Sequence, residues 1–269
     1  MKKSLYIAAI VILLIVFAVS AFQVGSYIIE SKRQQDEFDD LAAAVESAQA
    51  AAAAETTEAT AETTESTEET VETTEGEPVI LPGYAALYEE NPDMVGWIKI
   101  EGTKLNYPVM QTPHDKDFYL DHNFEREHSD AGCIYAREEC DIFRPSDNIT
   151  LYGHNMKNGS MFAALNAYVN KEAWEYNSYI FFDTLYEAHV YEIFSVFTTT
   201  ASLGEGFSYH QMEDAADEEE FNDFIATCKE LELYDTGITP KYGDKIICLS
   251  TCEYSQDNGR LVVAAYRIS

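Results

Sequence analysis

Basic residues are scarce in this chain. Its 269 residues hold 17 Lys and Arg against 48 Asp and Glu, a formal net charge of -31. A polyanionic partner would be repelled by that balance, which excludes nucleic acid as a partner. Part of the acidity is local: between Glu55 and Glu77 there are nine Glu and no Lys or Arg. Setting those nine aside still leaves the rest of the chain at about -22. The chain also lacks a CxxC pair and any Cys/His cluster with zinc spacing, so no metal site and no cofactor is expected. An even set of cysteines is missing too. The five are Cys133, Cys140, Cys228, Cys248 and Cys252, so at least one thiol stays free even if the others pair.

One long apolar run is present, from Leu5 to Phe22, and Val24 to Ile29 extend it past the roughly 20 residues a spanning helix needs. Lys2 and Lys3 ahead of it favour a cytoplasmic N-terminus and a single-pass anchor over residues 1–29. The competing reading is a cleaved signal peptide, for which Val19-Ser20-Ala21 makes a poor small-residue site. Residues 30–77 read as a linker. SKRQQDEFDDLAAAVESAQAAAAAE is helix-prone and suits a stalk. The following Glu/Thr tract repeats ETTE at Glu55, Glu62 and Glu72 and has too few large apolar residues for a core, so it is expected to be a disordered spacer.

From Pro78 the composition changes, and residues 78–269 are long enough for one domain with a sizeable core. GYAALYEENP reads as a short helix ending before Pro92. VGWIKIEGTKLNYPVMQ gives two short strands around a Glu-Gly turn, and DKDFYLDHNF a short helix or irregular turn. AGCIYA and NITLYGHN read as strands. NGSMFAALNAYV reads as a short helix capped by Ser160, and YIFFDTLYEAHVYEIFSVFTTT as a hairpin of two long strands. In DEEEFNDFIATCKELELY, Phe221, Phe224, Ile225, Cys228 and Leu231 recur at helical spacing. GDKIICLSTC and GRLVVAAYRI are the last two strands. Short strands separated by turns predict a closed β-barrel with inserted helices.

A nucleophilic cysteine needs exposure, a route to thiolate and a partner for the oxyanion formed on attack. Cys228 on an apolar helix face and Cys248 between Ile247 and Leu249 read as core. Cys133 after a glycine is ambiguous, and Cys140 in a charged loop reads as a surface thiol. Cys252 stands where an apolar strand stops and polar residues begin. His114, His122 and His128 lie in charged stretches, and His189 and His210 in or near the long strands. His154 follows a strand by one glycine, so adjacent strand ends on one rim would bring it near Cys252. A turn from Ser255 to Gly259 would return Arg260 to the same rim, where a guanidinium holds developing negative charge. Cys248, four residues before Cys252, shares its strand face about 13 Å away, too far for a disulfide, and is expected to be buried and inert.

These residues sit in strings that resemble sortases, most closely class B. They are TLYGHNM at Thr150–Met156 followed by NGSMFAALNAY, and LSTC at Leu249–Cys252 with Arg260 downstream. LYEENPDMVGWIKIEGTKLNYPVMQT, FFDT at Phe181–Thr184, LYDTG at Leu233–Gly237 and the helix from Asp217 to Leu231 support the likeness. It covers residues 83–268. The resemblance implies a mostly β fold: a closed sortase-type barrel of about seven to eight strands, with short helices, an N-terminal helix and a longer helix before the cysteine-bearing strand. It implies a membrane-anchored cysteine transpeptidase of a Gram-positive bacterium, facing outward from the cell membrane. Such an enzyme cleaves a C-terminal sorting motif after Thr and forms a thioester on Cys252. It passes the protein to an amine of a cell-wall precursor or of another, pilin-like subunit. His154 would be its acid and base, and Arg260 its oxyanion partner with the Glu253 backbone N–H. Leu120, Ser250 and Glu253 would line the motif groove, and no calcium requirement is implied. The same residues would also serve an anchored cysteine peptidase with water as acceptor, and a non-catalytic wall-peptide binding module is a third reading.

Overall fold

The computed structural model describes residues 2–62, 78–202, 204–255 and 257–269. The chain divides into two compact units, Met1–Leu41 and Ala42–Ser269. Helix α1 runs Lys2–Glu62. Its stretch Ile10–Ala54 is, by length and composition, apolar enough to cross a membrane, and the large side chains from Tyr6 to Ile29 are exposed. The remainder of the expected spacer, residues 63–77, lies outside the described residues.

The second unit is built on eight strands. They are β1 (Met94–Lys99), β2 (Asn106–Met110), β3 (Ile134–Ala136), β4 (Asn148–Tyr152), β5 (Tyr179–Thr184), β6 (Val190–Thr200), β7 (Ile246–Cys252) and β8 (Gly259–Arg267). They close into a barrel in the order β1-β2-β3-β4-β7-β8-β6-β5, with β1 pairing β5 to complete the ring. Closure removes every free sheet edge. Two neighbours run parallel, β2 with β3 and β4 with β7. Parallel pairing of β4 and β7 puts the C-terminal ends of both strands on the same rim.

Helix α2 (Ala85–Glu90) ends at Asn91, before Pro92, as that proline dictates. Helix α4 (Glu218–Glu230) starts at Asp217, whose carboxylate accepts from the Glu220 N–H at 3.0 Å. Glu218, Glu219 and Glu220 fill its first turn, where the helix dipole favours negative charge. Its apolar stripe, Phe221, Phe224, Ile225 and Cys228, is buried against Phe194, Phe197, Ile246, Cys248, Val262 and Ala264 of the barrel wall. Leu231, expected on that stripe, is instead the C-terminal cap residue and exposed; the helix stops before it can turn inward.

The expected short helix after Asn158 is present, while its cap and the place of Cys140 differ from expectation. Phe162–Val169 is a 3-10 helix whose cap position is Met161, at φ 55°. Ser160 does not cap it, because its hydroxyl donates to Asn158 Oδ1 at 2.7 Å. A six-residue helix α3 (Lys171–Tyr176) follows. Cys140 is buried, not a surface thiol: the turn that brings Cys140 N to Arg137 O at 3.1 Å points the sulfur inward. There it meets the Asn148 carbonyl at 3.6 Å and the Thr150 N–H at 3.5 Å.

Candidate active site

Strand β7 pairs on one side with β4 and on the other with β8. Alternate residues of a strand share a face, so Ile246, Cys248, Ser250 and Cys252 form one row. Its first members are sealed. Ile246 and Cys248 lie in the cluster under α4, and burial pushes the Cys248 thiol far up. Ser250 is 1% exposed and shares a 2.6 Å hydrogen bond with the Tyr209 hydroxyl. Cys252 is the last residue of the row and only half-buried, while Cys133, Cys140, Cys228 and Cys248 are buried. Desolvation raises the thiols of Cys140, to about 11, and Cys228.

The end of β4 is fastened to β7 beside it. Thr251 Oγ1 donates to the Gly153 carbonyl at 2.8 Å, and Gly153 N–H donates to the Ser250 carbonyl at 3.3 Å. Gly153 has no room for a side chain, since a Cβ there would lie 2.4 Å from Ile134 Cδ1 and 2.8 Å from Phe162 Cγ. His154 follows, with Nε2 2.8 Å from the Leu120 carbonyl. A carbonyl only accepts, so Nε2 carries the proton and Nδ1 is the nitrogen left for proton traffic. Leu120 ends the 3-10 turn Phe118–Leu120. That turn is seated on Gly132, at φ +56°, where a Cβ would come within 2.4 Å of the Tyr119 carbonyl oxygen and 2.5 Å of the Leu120 one.

On the other side of β7, Arg260 is the direct register partner of Cys252. Its Nη1 donates to the Gly259 carbonyl at 3.0 Å and the Asn258 carbonyl at 3.3 Å, and among the described residues it has no carboxylate partner. Other cavity cations are paired, Lys116 with Glu138 at 3.0 Å and Arg137 with Glu213.

Cys252, His154 and Arg260 line one cavity of about 600 Å³. Leu120 lines it too and is 41% exposed. Ser250 lies in its floor with its hydroxyl engaged by Tyr209. Glu253 is not among the lining residues. Its carboxylate holds the Ser255 N–H at 2.8 Å and hydroxyl at 2.6 Å. Its backbone N–H, expected to face an oxyanion, donates instead to the Gly259 carbonyl at 2.9 Å; the antiparallel ladder claims that donor. Sequence reasoning missed the cavity's second wall, built from described residues between Thr200 and Gln211, with Phe207 and Tyr209 among them. Burial pushes the Tyr209 hydroxyl up to about 12, so it stays a neutral phenol. The segment carries no periodic pattern that would reveal it. Among the described residues there is no group of three or more metal-ligating side chains.

The fold and the site together define a closed-barrel protein with one accessible thiol framed by an imidazole and by a guanidinium that, among the described residues, has no carboxylate partner. A family model for the sortase domain matches residues 98–268. Sortase B of Staphylococcus aureus (strain NCTC 8325 / PS 47) is 33% identical over 190 residues, covering 69% of this chain and 75% of that protein. The structure of sortase B from B. anthracis in complex with AAEK1 superposes with a TM-score of 0.69 at 30% identity, over 90% of this chain and 99% of that one. A Staphylococcus aureus sortase B-substrate complex gives 0.71 at 27% identity, over the same shares. The chain belongs to the sortase family, class B, and is a cysteine transpeptidase.

Proposed function

We propose that Cys252 is the nucleophile that cleaves a C-terminal sorting motif after Thr. The carrying observation is the register pairing of Cys252 with Arg260, in a cavity that His154 also lines. The Cys252 thiolate attacks the Thr carbonyl carbon, and the oxyanion that forms is met by the Arg260 guanidinium, which among the described residues has no carboxylate to neutralise it. The C–N bond breaks, a thioester remains, and His154 Nδ1–H protonates the departing amine. An incoming amine then gives its proton to Nδ1, attacks the thioester and leaves the Thr carbonyl in a new amide, with Cys252 released as thiolate. Leu120 holds Nε2–H through its carbonyl at 2.8 Å, so the tautomer needed for both transfers is held throughout.

The likeness to a sortase B whose substrate complex is solved supports a peptide in this groove. The motif contacts are Leu120 and the wall from Thr200 to Gln211; the Ser250 hydroxyl supports that wall through Tyr209. The acceptor is an amine of a cell-wall precursor or of another surface subunit. Residues 1–29 anchor the enzyme, with the N-terminus cytoplasmic. Residues 30–77 are the stalk and spacer, and the catalytic domain, 78–269, faces outward, where exported proteins and wall precursors meet.

The test uses the full chain in detergent micelles with a panel of Thr-containing peptides, with and without oligoglycine or a diamino acid, read by intact mass. A Cys252-bound acyl group that the amine converts to an amide is the expected result. No adduct with any peptide, or an adduct that persists in Cys252→Ala, overturns the assignment. An adduct that yields only hydrolysed peptide places water as the acceptor.

A further inference from the structure

Asn155 follows His154, and its side chain reaches β7. Its Nδ2 donates to the Cys252 carbonyl at 2.8 Å. The amide has little freedom to do otherwise. Nδ2 also meets Asn166 Oδ1 at 3.1 Å, while Asn166 Nδ2 donates back to Asn155 Oδ1 at 2.7 Å and to the Ala163 carbonyl at 3.0 Å. The donors and acceptor of Asn155 are therefore all placed, and a flipped amide would set its oxygen against the Cys252 carbonyl. The peptide joining Cys252 to Glu253 is held at both ends, its carbonyl by Asn155 and its N–H by Gly259 O at 2.9 Å.

We propose that Asn155 is a positioning residue that locks the thiol-bearing end of β7 to the imidazole-bearing loop; this rests on the reading of Cys252 and His154 given above. One residue of backbone and one hydrogen bond separate the imidazole from the cysteine it serves, so the two move as a unit. The lock also keeps the Cys252–Glu253 peptide from turning over. A turned peptide would carry the Glu253 N–H away from Gly259 and break the Asn155 bond, so the lock leaves the oxyanion to Arg260. Small errors in the placement of reacting groups are expensive, about 10²-fold in rate for about 1 Å.

The experiment compares full-length wild type with Asn155→Ala, Asn155→Asp and Asn166→Ala in detergent micelles. Three quantities are read: kcat against KM for acylation by an active peptide, the pH profile of Cys252 alkylation by iodoacetamide, and the melting temperature. Asn155→Asp keeps the shape and removes the donor, which guards against a folding defect in the alanine variant. The expected result is a fall in kcat of about 10- to 100-fold in both Asn155 variants, with KM within about twofold and the alkylation profile displaced. Asn166→Ala falls between, and combining it with Asn155→Ala adds nothing, because both act through one amide. Unchanged kcat and alkylation profile, or a loss that follows melting temperature alone, overturns the proposal. If wild type accepts no peptide, the nucleophile reading fails, and the alkylation profile alone still decides whether Asn155 couples the thiol to the imidazole.

Discussion

Cys252 and Arg260 face each other as register partners at the open end of the β7–β8 ladder. Side chains of directly opposed residues lie on the same face of the sheet, so the guanidinium and the thiol share the cavity. Replacing Arg260 with Ala is expected to lower the acylation rate by about 10²–10³-fold, the usual cost of one oxyanion donor. Arg260→Lys should restore only part, since an ammonium lacks the planar fork. Single-turnover acylation measures both; a lysine variant as fast as wild type would show that charge alone suffices.

Four of the five thiols are buried and Cys252 is not. Native protein should therefore take up one equivalent of iodoacetamide, on Cys252, and five after unfolding. Peptide mapping of the labelled sites checks this. Cys248→Ala should retain transfer activity and lose about 1–2 kcal/mol of stability, as removal of a packed side chain does. A folded Cys248→Ala variant without activity would refute the inert assignment.

Gly132→Ala places a Cβ within 2.5 Å of the Leu120 carbonyl oxygen and demands a left-handed backbone of an alanine. The cost to stability should be about 1–3 kcal/mol. The displaced carbonyl should also release His154 Nε2, so acylation falls more than melting temperature predicts. Thermal unfolding and acylation rate, measured on the same sample, separate the two effects.

Burial, with a nearby arginine in each case, lowers the pKa of His189 and His210 below the ordinary 6.5. The unfolded chain then binds more protons than the folded one once pH drops below about 6.5, so stability is full above that value and declines as pH falls. Melting temperature should drop between pH 7 and pH 5, and a variant with both histidines changed to Asn should drop less. Equal slopes for the two proteins would exclude these histidines as the cause.

Much of this was legible in the residues. The apolar runs of β7 and β8 stop at polar residues, and that boundary marks both Cys252 and Arg260. The period of Phe221, Phe224, Ile225 and Cys228 reveals α4. Other parts were hidden for physical reasons. Cys140 is flanked by Arg137, Glu138, Glu139 and Asp141, which suggest a surface loop, yet a single turn buries it. Phe162–Val169 has the composition of an α-helix but winds more tightly after Met161, a non-glycine residue at positive φ. The Glu253 N–H reads as free in the sequence because ladder bonds depend on register, which no single strand displays. The wall from Thr200 to Gln211 is shaped by its partners: Thr199 Oγ1 accepts from Phe207 N–H at 2.8 Å, and the Tyr209 carbonyl accepts from Asn148 Nδ2 at 2.9 Å.

The order of strands around the barrel has a consequence in time. The last of the eight strands in chain order, β8, is inserted between β7 and β6, so without it the barrel is an open sheet with two raw edges. Arg260 arrives only with that strand, and the ring shuts around Cys252 only when it does. A chain stopped short of residue 259 has its thiol and its imidazole but lacks the guanidinium that completes their frame. Ring closure and assembly of the reactive pocket are therefore one event: β8 seals the sheet and delivers the guanidinium together.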